Sequence, residues 1–352
     1  MSNFRESDCP ECAGFDRREL LRYVSIAPLA VAAGGLALRP GVANAEEIEV
    51  LPMPRLRTPG PAEDLAKELY AGMSDTQRKA VCMPFDSAQR LAVNPNHALN
   101  KTIGSVFDKK QIELIERIVK SLSAGDDASW KQITRGGTWD ASKTFENTGA
   151  NFFGDPAKGP FAFLFTGHHL TLRCDGNFKD SVAFGGPIYY GHTPNPYSDK
   201  NVFYYQTQQA MKFFDALNKD QREKAVVAHG TPGEGSDSVQ LKEVAGRKSR
   251  PKAHGVAFKE LSSDQKELMG IVMRSLLSPF RKEDGDEVMS VIKETGGMEK
   301  LQFAFYSDKW DGAQTNEKQP WSFWRIEGPG FIWNFRVLPH VHTFVNIAAS
   351  TV

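Results

Sequence analysis

The chain has 352 residues, 40% of them hydrophobic, with 23 phenylalanines and a formal net charge of zero. That is ample for a buried core, in one large domain or two small ones. The even charge balance, without a basic stripe, excludes nucleic acid as an expected partner, because neutralising a phosphate backbone needs surplus Lys and Arg. No apolar run reaches the roughly 18 residues of a membrane span.

Asp16-Arg-Arg-Glu-Leu-Leu-Arg22 has the pattern of a twin-arginine export motif. A modestly apolar stretch, Ser25 to Leu38, follows, and Ala43-Asn-Ala45 supplies a small-x-small cleavage site. Residues 1–45 therefore read as a signal peptide and 46–62 as an extended, Pro- and Arg-rich lead-in. The expectation is an exported protein, periplasmic or in the cell envelope, with no integral span after cleavage. Cys9 and Cys12 leave with the signal. Cys82 and Cys174 remain, either bridged in an oxidising compartment or as two buried thiols.

Residues 63–352 read as a single α+β domain, a largely antiparallel sheet with packed helices. Four helix starts share one device: Ser74, Asp108, Asn218 and Ser262 each stand three residues before a Gln, the capping-box spacing, with an apolar residue just ahead. Four occurrences suggest an old duplication, at intervals too uneven for a solenoid. Apolar periodicity predicts helices after Asp108 and Ser262, and another over Glu287–Glu294. Strands are expected over Phe161–Arg173, broken by a bend at Gly167, and over Leu301–Tyr306, Trp321–Ile326, Phe331–Val337 and His340–Ile347. The segment 230–252 reads as an exposed loop, and Trp310, Trp321, Trp324 and Trp333 as core.

Five of the eight histidines fall in three short segments: His168-His169, His192, and His340-x-His342. Residues i and i+2 of a strand share a face, so His340 and His342 point the same way. A bend at Gly167 would let His168 or His169 join them. Imidazole donors suit a transition metal ion, copper, zinc or iron. His192, in a Gly/Pro-rich stretch, is the candidate acid or base. Buried histidines satisfied by backbone or Tyr groups are the plainer alternative. Arg173 with Asp175, and Arg325 with Glu327, read as ion pairs, the first on the surface. No nucleophile elbow, phosphate-binding loop, dinucleotide fingerprint or His-Glu-x-x-His motif occurs.

The order of Gly167-His-His-Leu170, a Gly/Pro-rich segment, Arg325-Ile-Glu-Gly-Pro329 and His340-Val-His342 resembles the uncharacterised bacterial family catalogued as domain of unknown function 3500. Met73-Ser-Asp-Thr-Gln-Arg78 and Met83-Pro-Phe-Asp86 resemble its opening. The likeness spans Leu65 to Ile347 and implies an architecture and a site location, but no reaction. The functional expectation is an exported protein with a His-rich metal site, a hydrolase or oxidoreductase acting on a small or polymeric substrate. The rival is a non-catalytic envelope binding protein.

Overall fold

The computed structural model describes residues 61–93, 98–177, 182–194, 198–227, 253–306, 321–338 and 340–349. The expected signal peptide, most of the lead-in, the 230–252 loop, His229 and Trp310 lie outside them. The first half of the chain runs α1 (Pro61–Ala71), α2 (Asp75–Val81), β1 (Cys82–Met83), α3 (Ile103–Val106), α4 (Lys109–Ser121), α5 (Asp127–Ile133), β2 (Gly149–Gly154), β3 (Phe161–Gly167), β4 (Leu170–Gly176) and β5 (Ile188–His192). The second runs α6 (Tyr204–Ala216), α7 (Lys219–Ala225), β6 (Val226–Val227), β7 (Val256–Ala257), α8 (Ser263–Leu277), α9 (Lys282–Glu294), β8 (Gln302–Tyr306), β9 (Phe323–Gly328), β10 (Phe331–Arg336) and β11 (Val341–Ile347).

All strands join one open sheet in the order β1-β2-β3-β4-β5-β11-β10-β9-β8-β6, with β7 beside β8. Among the described strands only β1–β2 and β6–β8 pair in parallel, so the α+β, largely antiparallel expectation holds. The order is the same read inward from either edge. Each half lays a short parallel edge strand against a four-strand antiparallel run, and the two runs meet at β5 and β11. Matching backbone bonds recur: Ile103 N donates to Thr148 O (2.8 Å) and Phe258 N to Leu301 O (3.0 Å), while Gly191 N donates to His169 O and Ala348 N to Gly330 O, both 2.9 Å.

All four capping boxes form, and their glutamines also pair. Gln77 Nε2 donates to Gln111 Oε1 (2.7 Å), with the reverse bond at 3.3 Å. In the second half Gln221 and Gln265 make the same reciprocal amide pair at 2.9 and 2.7 Å. Each box thus caps one helix start and locks it to its neighbour, so the repeated device expected from the spacing recurs as one paired arrangement in each half.

Strand alternation gives the sheet two unlike faces. One carries Phe163, Leu172, Tyr190, Val345, Trp333, Trp324 and Phe303, packed with Ile115 and Val119 of α4 and Val272 and Leu276 of α8 in a single cluster. The other carries Arg173, Asp175, Tyr189, His342, Arg336, Asn334, Arg325 and Glu327. Apart from half-buried His342, these are buried as well. Arg173 and Asp175 are therefore not a surface pair: the Arg173 guanidinium donates to the carbonyls of Pro187 (2.5 Å), Ala92 (2.6 Å) and Arg90. Cys82 and Cys174 are not joined in a disulfide. They sit three strands apart, roughly 14 Å at ordinary strand spacing, and a bridge needs Cα atoms within about 7 Å. The last helix, α9, starts at Lys282, earlier than its apolar spacing indicates.

Candidate functional site

His168 and His169 are the two turn residues of the β3–β4 hairpin, since Gly167 pairs with Leu170. Two-residue hairpin turns call for positive φ, usually supplied by Gly or Asn. Here it falls on His169, at 54°, and not on Gly167. The expected bend at Gly167 is a tight turn one step later. A non-Gly residue in this region costs about 1–2 kcal/mol, and Arg135 holds it there. That side chain, 1% exposed, donates from Nη2 to His169 O, from Nε to Gly191 O (3.0 Å) and from Nη1 to Ile133 O. Gly191 is needed for this close approach: a Cβ on it would sit 2.4 Å from Val341 O and 3.2 Å from His169 Cβ.

The loop from α5 toward β2 is wound the same way, with positive φ at Arg135, Trp139, Asp140 and Lys143. It delivers Asp140, 7% exposed, onto the hairpin turn. Asp140 Oδ2 lies 2.8 Å from His169 Nδ1 and accepts from Thr193 N (3.2 Å), while Oδ1 accepts from Thr193 Oγ1 and lies 3.4 Å from His168 Nδ1. Burial alone would raise its pKa, but the hydrogen bonds to His168 and His169 hold it well below the usual carboxylate range. An ionised Asp140 accepts only, so the His169 proton is assigned to Nδ1 and its Nε2 keeps a lone pair.

That lone pair faces β11. His342 Nε2 lies 3.1 Å from His169 Nε2 and 2.8 Å from His340 Nε2. An imidazole nitrogen carries one proton or one lone pair in one direction. The His342 nitrogen cannot serve two neighbours and His169 brings no proton, so hydrogen bonding leaves one of these contacts unserved. A single ion at the point of convergence serves all three. Nitrogens bound tetrahedrally at 2.0–2.1 Å stand ~3.3 Å apart, close to the 3.1 and 2.8 Å that separate His342 Nε2 from its two neighbours. His169, His340 and His342 thus form a group that could hold a metal ion. Burial keeps their protons off: His169 is pushed down to about 4 against the pull of Asp140, and His340 to about 3. His342 is held well below the ordinary imidazole value by burial and Arg336.

His168 does not converge with them. Its ring lies over His169, centroids 3.8 Å apart, and its Nδ1 lies 3.4 Å from both Asp140 Oδ1 and Ala141 N. Asp140, His168 and His169 form a second, overlapping group near enough to hold an ion. His192 pairs with Val341 whereas His342 pairs with Gly191, so the His192 ring leaves the sheet on the opposite, apolar face. Its Nδ1 accepts from Val202 N (3.2 Å) and burial lowers its pKa to about 3. His254, half-buried, belongs to neither group.

Asp140, Arg135 and Arg336 escape a reading of the sequence. Arg336 lies directly across from His342 in the β10–β11 pair. Its Nε donates to His340 O (3.3 Å), and its Nη2 stands 3.5 Å from His340 Nε2. Register across a predicted hairpin could have found Arg336. Nothing local marks Asp140, whose position depends on the left-handed loop.

Residues 60–348 match a family described as a protein of unknown function (DUF3500). No curated protein and no solved structure matches the chain. Among the described residues, no helix is long and apolar enough to cross a membrane.

Proposed function

The chain belongs to the DUF3500 family, and within it we propose an exported metalloenzyme whose single transition-metal ion is held by His169, His340 and His342. The observation that carries this reading is the convergence of three Nε2 atoms, with Asp140 fixing the His169 tautomer from behind. A ligating His with its other nitrogen on a carboxylate is the usual partnership at protein metal sites. Three protein donors with a further position open is the arrangement of catalytic rather than structural zinc. Imidazole donors suit zinc, copper or iron. Neutral donors place no negative charge directly on the ion, so its contribution when bound would be Lewis acidity, of the kind that lowers the pKa of coordinated water toward about 7. That favours hydrolysis, of a small or polymeric substrate, over electron transfer.

The protein's own residues have distinct parts. Asp140 orients His169, and Thr193 and the left-handed loop hold Asp140. Arg135 keeps the turn in its unfavourable conformation. His192, bonded through Nδ1 to Val202 N and through its carbonyl to Asn201 Nδ2 (3.2 Å), secures the end of β5 from which Thr193 reaches Asp140. Export by the twin-arginine route, which carries folded proteins, fits a metal loaded before translocation.

Elemental analysis of protein purified from the exported pool tests the reading. Wild type should carry about one equivalent of one metal, His342→Ala should lose it, and His254→Ala should keep it. His192→Ala should fold less stably yet retain the metal. A His342→Ala protein with full metal content would refute the assignment.

A further inference from the structure

One nitrogen beside the three-histidine group is poorly served by any proton. His168 Nδ1 stands 3.4 Å from Asp140 Oδ1 and 3.4 Å from Ala141 N. These neighbours make opposite demands: a proton on Nδ1 suits the carboxylate and opposes the amide, while a lone pair suits the amide and faces the carboxylate's charge. Both contacts exceed the usual hydrogen-bond length of about 2.9–3.0 Å. On the other carboxylate oxygen a proton closes the gap, since His169 Nδ1 lies 2.8 Å from Oδ2. The wider separation fits a different bridge. Nitrogen and oxygen donors bound tetrahedrally to one ion stand roughly 3.4 Å apart. Oδ1 accepts from Thr193 Oγ1 and keeps a further lone pair. Arg135 adds its charge nearby, but its donors are turned onto the carbonyls of His169 and Gly191. The His168 side chain is 21% exposed and that of Asp140 2%, so water can complete an ion's coordination from the His168 side.

We propose that His168 Nδ1 and Asp140 Oδ1 form a second, weaker site for a divalent transition cation, and that an ion there regulates the three-histidine site. Imidazole with carboxylate is an ordinary donor pair for zinc and its neighbours. Two protein donors hold less firmly than three, so this site fills only when metal is in excess. Asp140 serves both sites: Oδ2 holds the His169 proton and Oδ1 holds the second ion. Charge drawn toward that ion loosens the carboxylate's grip on His169, and the two cations repel. Each ion therefore lowers the affinity for the other by the same factor. The second site stands on its own geometry, whereas its effect on the first rests on the three-histidine reading.

Equilibrium dialysis of chelator-stripped exported protein against cobalt(II) separates the two levels. Wild type should bind one tight and one weak equivalent. His168→Ala should keep the tight equivalent and lose the weak one. Should that variant fold poorly, His168→Phe keeps a ring over His169 and removes only the nitrogen. His340→Ala should lose the tight equivalent and keep the weak one, which should bind about tenfold more tightly once the competing charge is gone. His254→Ala, outside both groups, should bind as wild type does. A wild type with no weak equivalent, or a folded His168 variant that retains it, would overturn the second site and leave the first standing. A weak equivalent of equal affinity in wild type and His340→Ala would overturn the regulation. If His340→Ala still binds both equivalents as wild type does, the three-histidine reading fails and the regulation with it.

Discussion

Replacing Asp140 by Asn isolates the logic of the site, because it keeps size and removes one charge. The carboxylate faces donors only: His169 Nδ1–H at 2.8 Å, the Thr193 amide at 3.2 Å and the Thr193 hydroxyl. An Asn amide must turn its NH2 toward one of these groups. Turned toward His169, it drives the imidazole proton from Nδ1 to Nε2, the nitrogen that faces His342. Turned toward Thr193, it sets donor against donor and loosens the loop. Either outcome removes the lone pair or its aim. Losing such a carboxylate partner typically costs 10–100-fold in metal affinity, about 1.4–2.7 kcal/mol. Competition against a chromogenic zinc chelator measures that ratio, and denaturant unfolding of the chelator-treated protein measures what is lost without metal. Asp140→Asn should weaken zinc by at least tenfold, a larger effect than His168→Ala, which removes the ring over His169 and the 3.4 Å contacts with Asp140 and Ala141 but leaves the His169 Nδ1 partner in place. Equal zinc affinity in wild type and Asp140→Asn would refute the tautomer argument.

Other consequences are as open to measurement. Burial lowers the folded pKa of His169 to about 4 and of His192 and His340 to about 3, so the unfolded chain takes up these protons first. Stability of the metal-free protein should be complete above pH 6.5 and fall as pH drops from 6.5 toward 4, by about 3 kcal/mol through His169 alone; equal denaturant midpoints at pH 7 and pH 4.5 would count against buried, neutral histidines. Gln265→Ala removes the acceptor for Ser262 N (2.9 Å) and three bonds to Gln221 and Ala216, and should destabilise by about 3 kcal/mol. Ser262→Ala loses only a cap, about 1 kcal/mol, and neither should change metal content. Changing Arg17 and Arg18 together to Lys should leave unprocessed precursor in the cytoplasm, whereas N-terminal sequencing of exported wild type should begin at Glu46.

Alternation alone put His340 and His342 on one face, and the residues between Phe161 and Arg173 announced two strands meeting near the His pair. The helix starts were legible because a capping box is a local motif whose partners lie three residues apart. What escaped depends on distant partners. Asp140 reaches the site through a run of left-handed backbone in which Gly136 and Gly137 account for two positions, while Arg135, Trp139, Asp140 itself and Lys143 carry positive φ with no glycine to announce it. Arg173 and Asp175 read as a surface pair, one face of an antiparallel sheet being commonly solvated, yet both are at most 4% exposed, as are Arg325 and Glu327. His192 looked chemical because of its glycine-rich surroundings. Its register opposite Val341, which only the sheet reveals, sends its ring to the apolar side.

The two hairpin turns of the repeated halves have diverged in what they tolerate. In the first, the backbone bond from Gly191 N accompanies a side chain, His169; in the second, the matching bond from Ala348 N meets Gly330. A Cβ at Gly330 would stand 2.4 Å from Ala348 O and 2.7 Å from Thr295 Cγ2, so no substitution can bring an imidazole there without moving the chain. A mutational scan of this protein should therefore be lopsided. Changes at His169 should leave a folded protein that lacks the proposed metal ion, and changes at Gly330 should reduce the yield of folded protein while leaving the metal content of each surviving molecule unchanged.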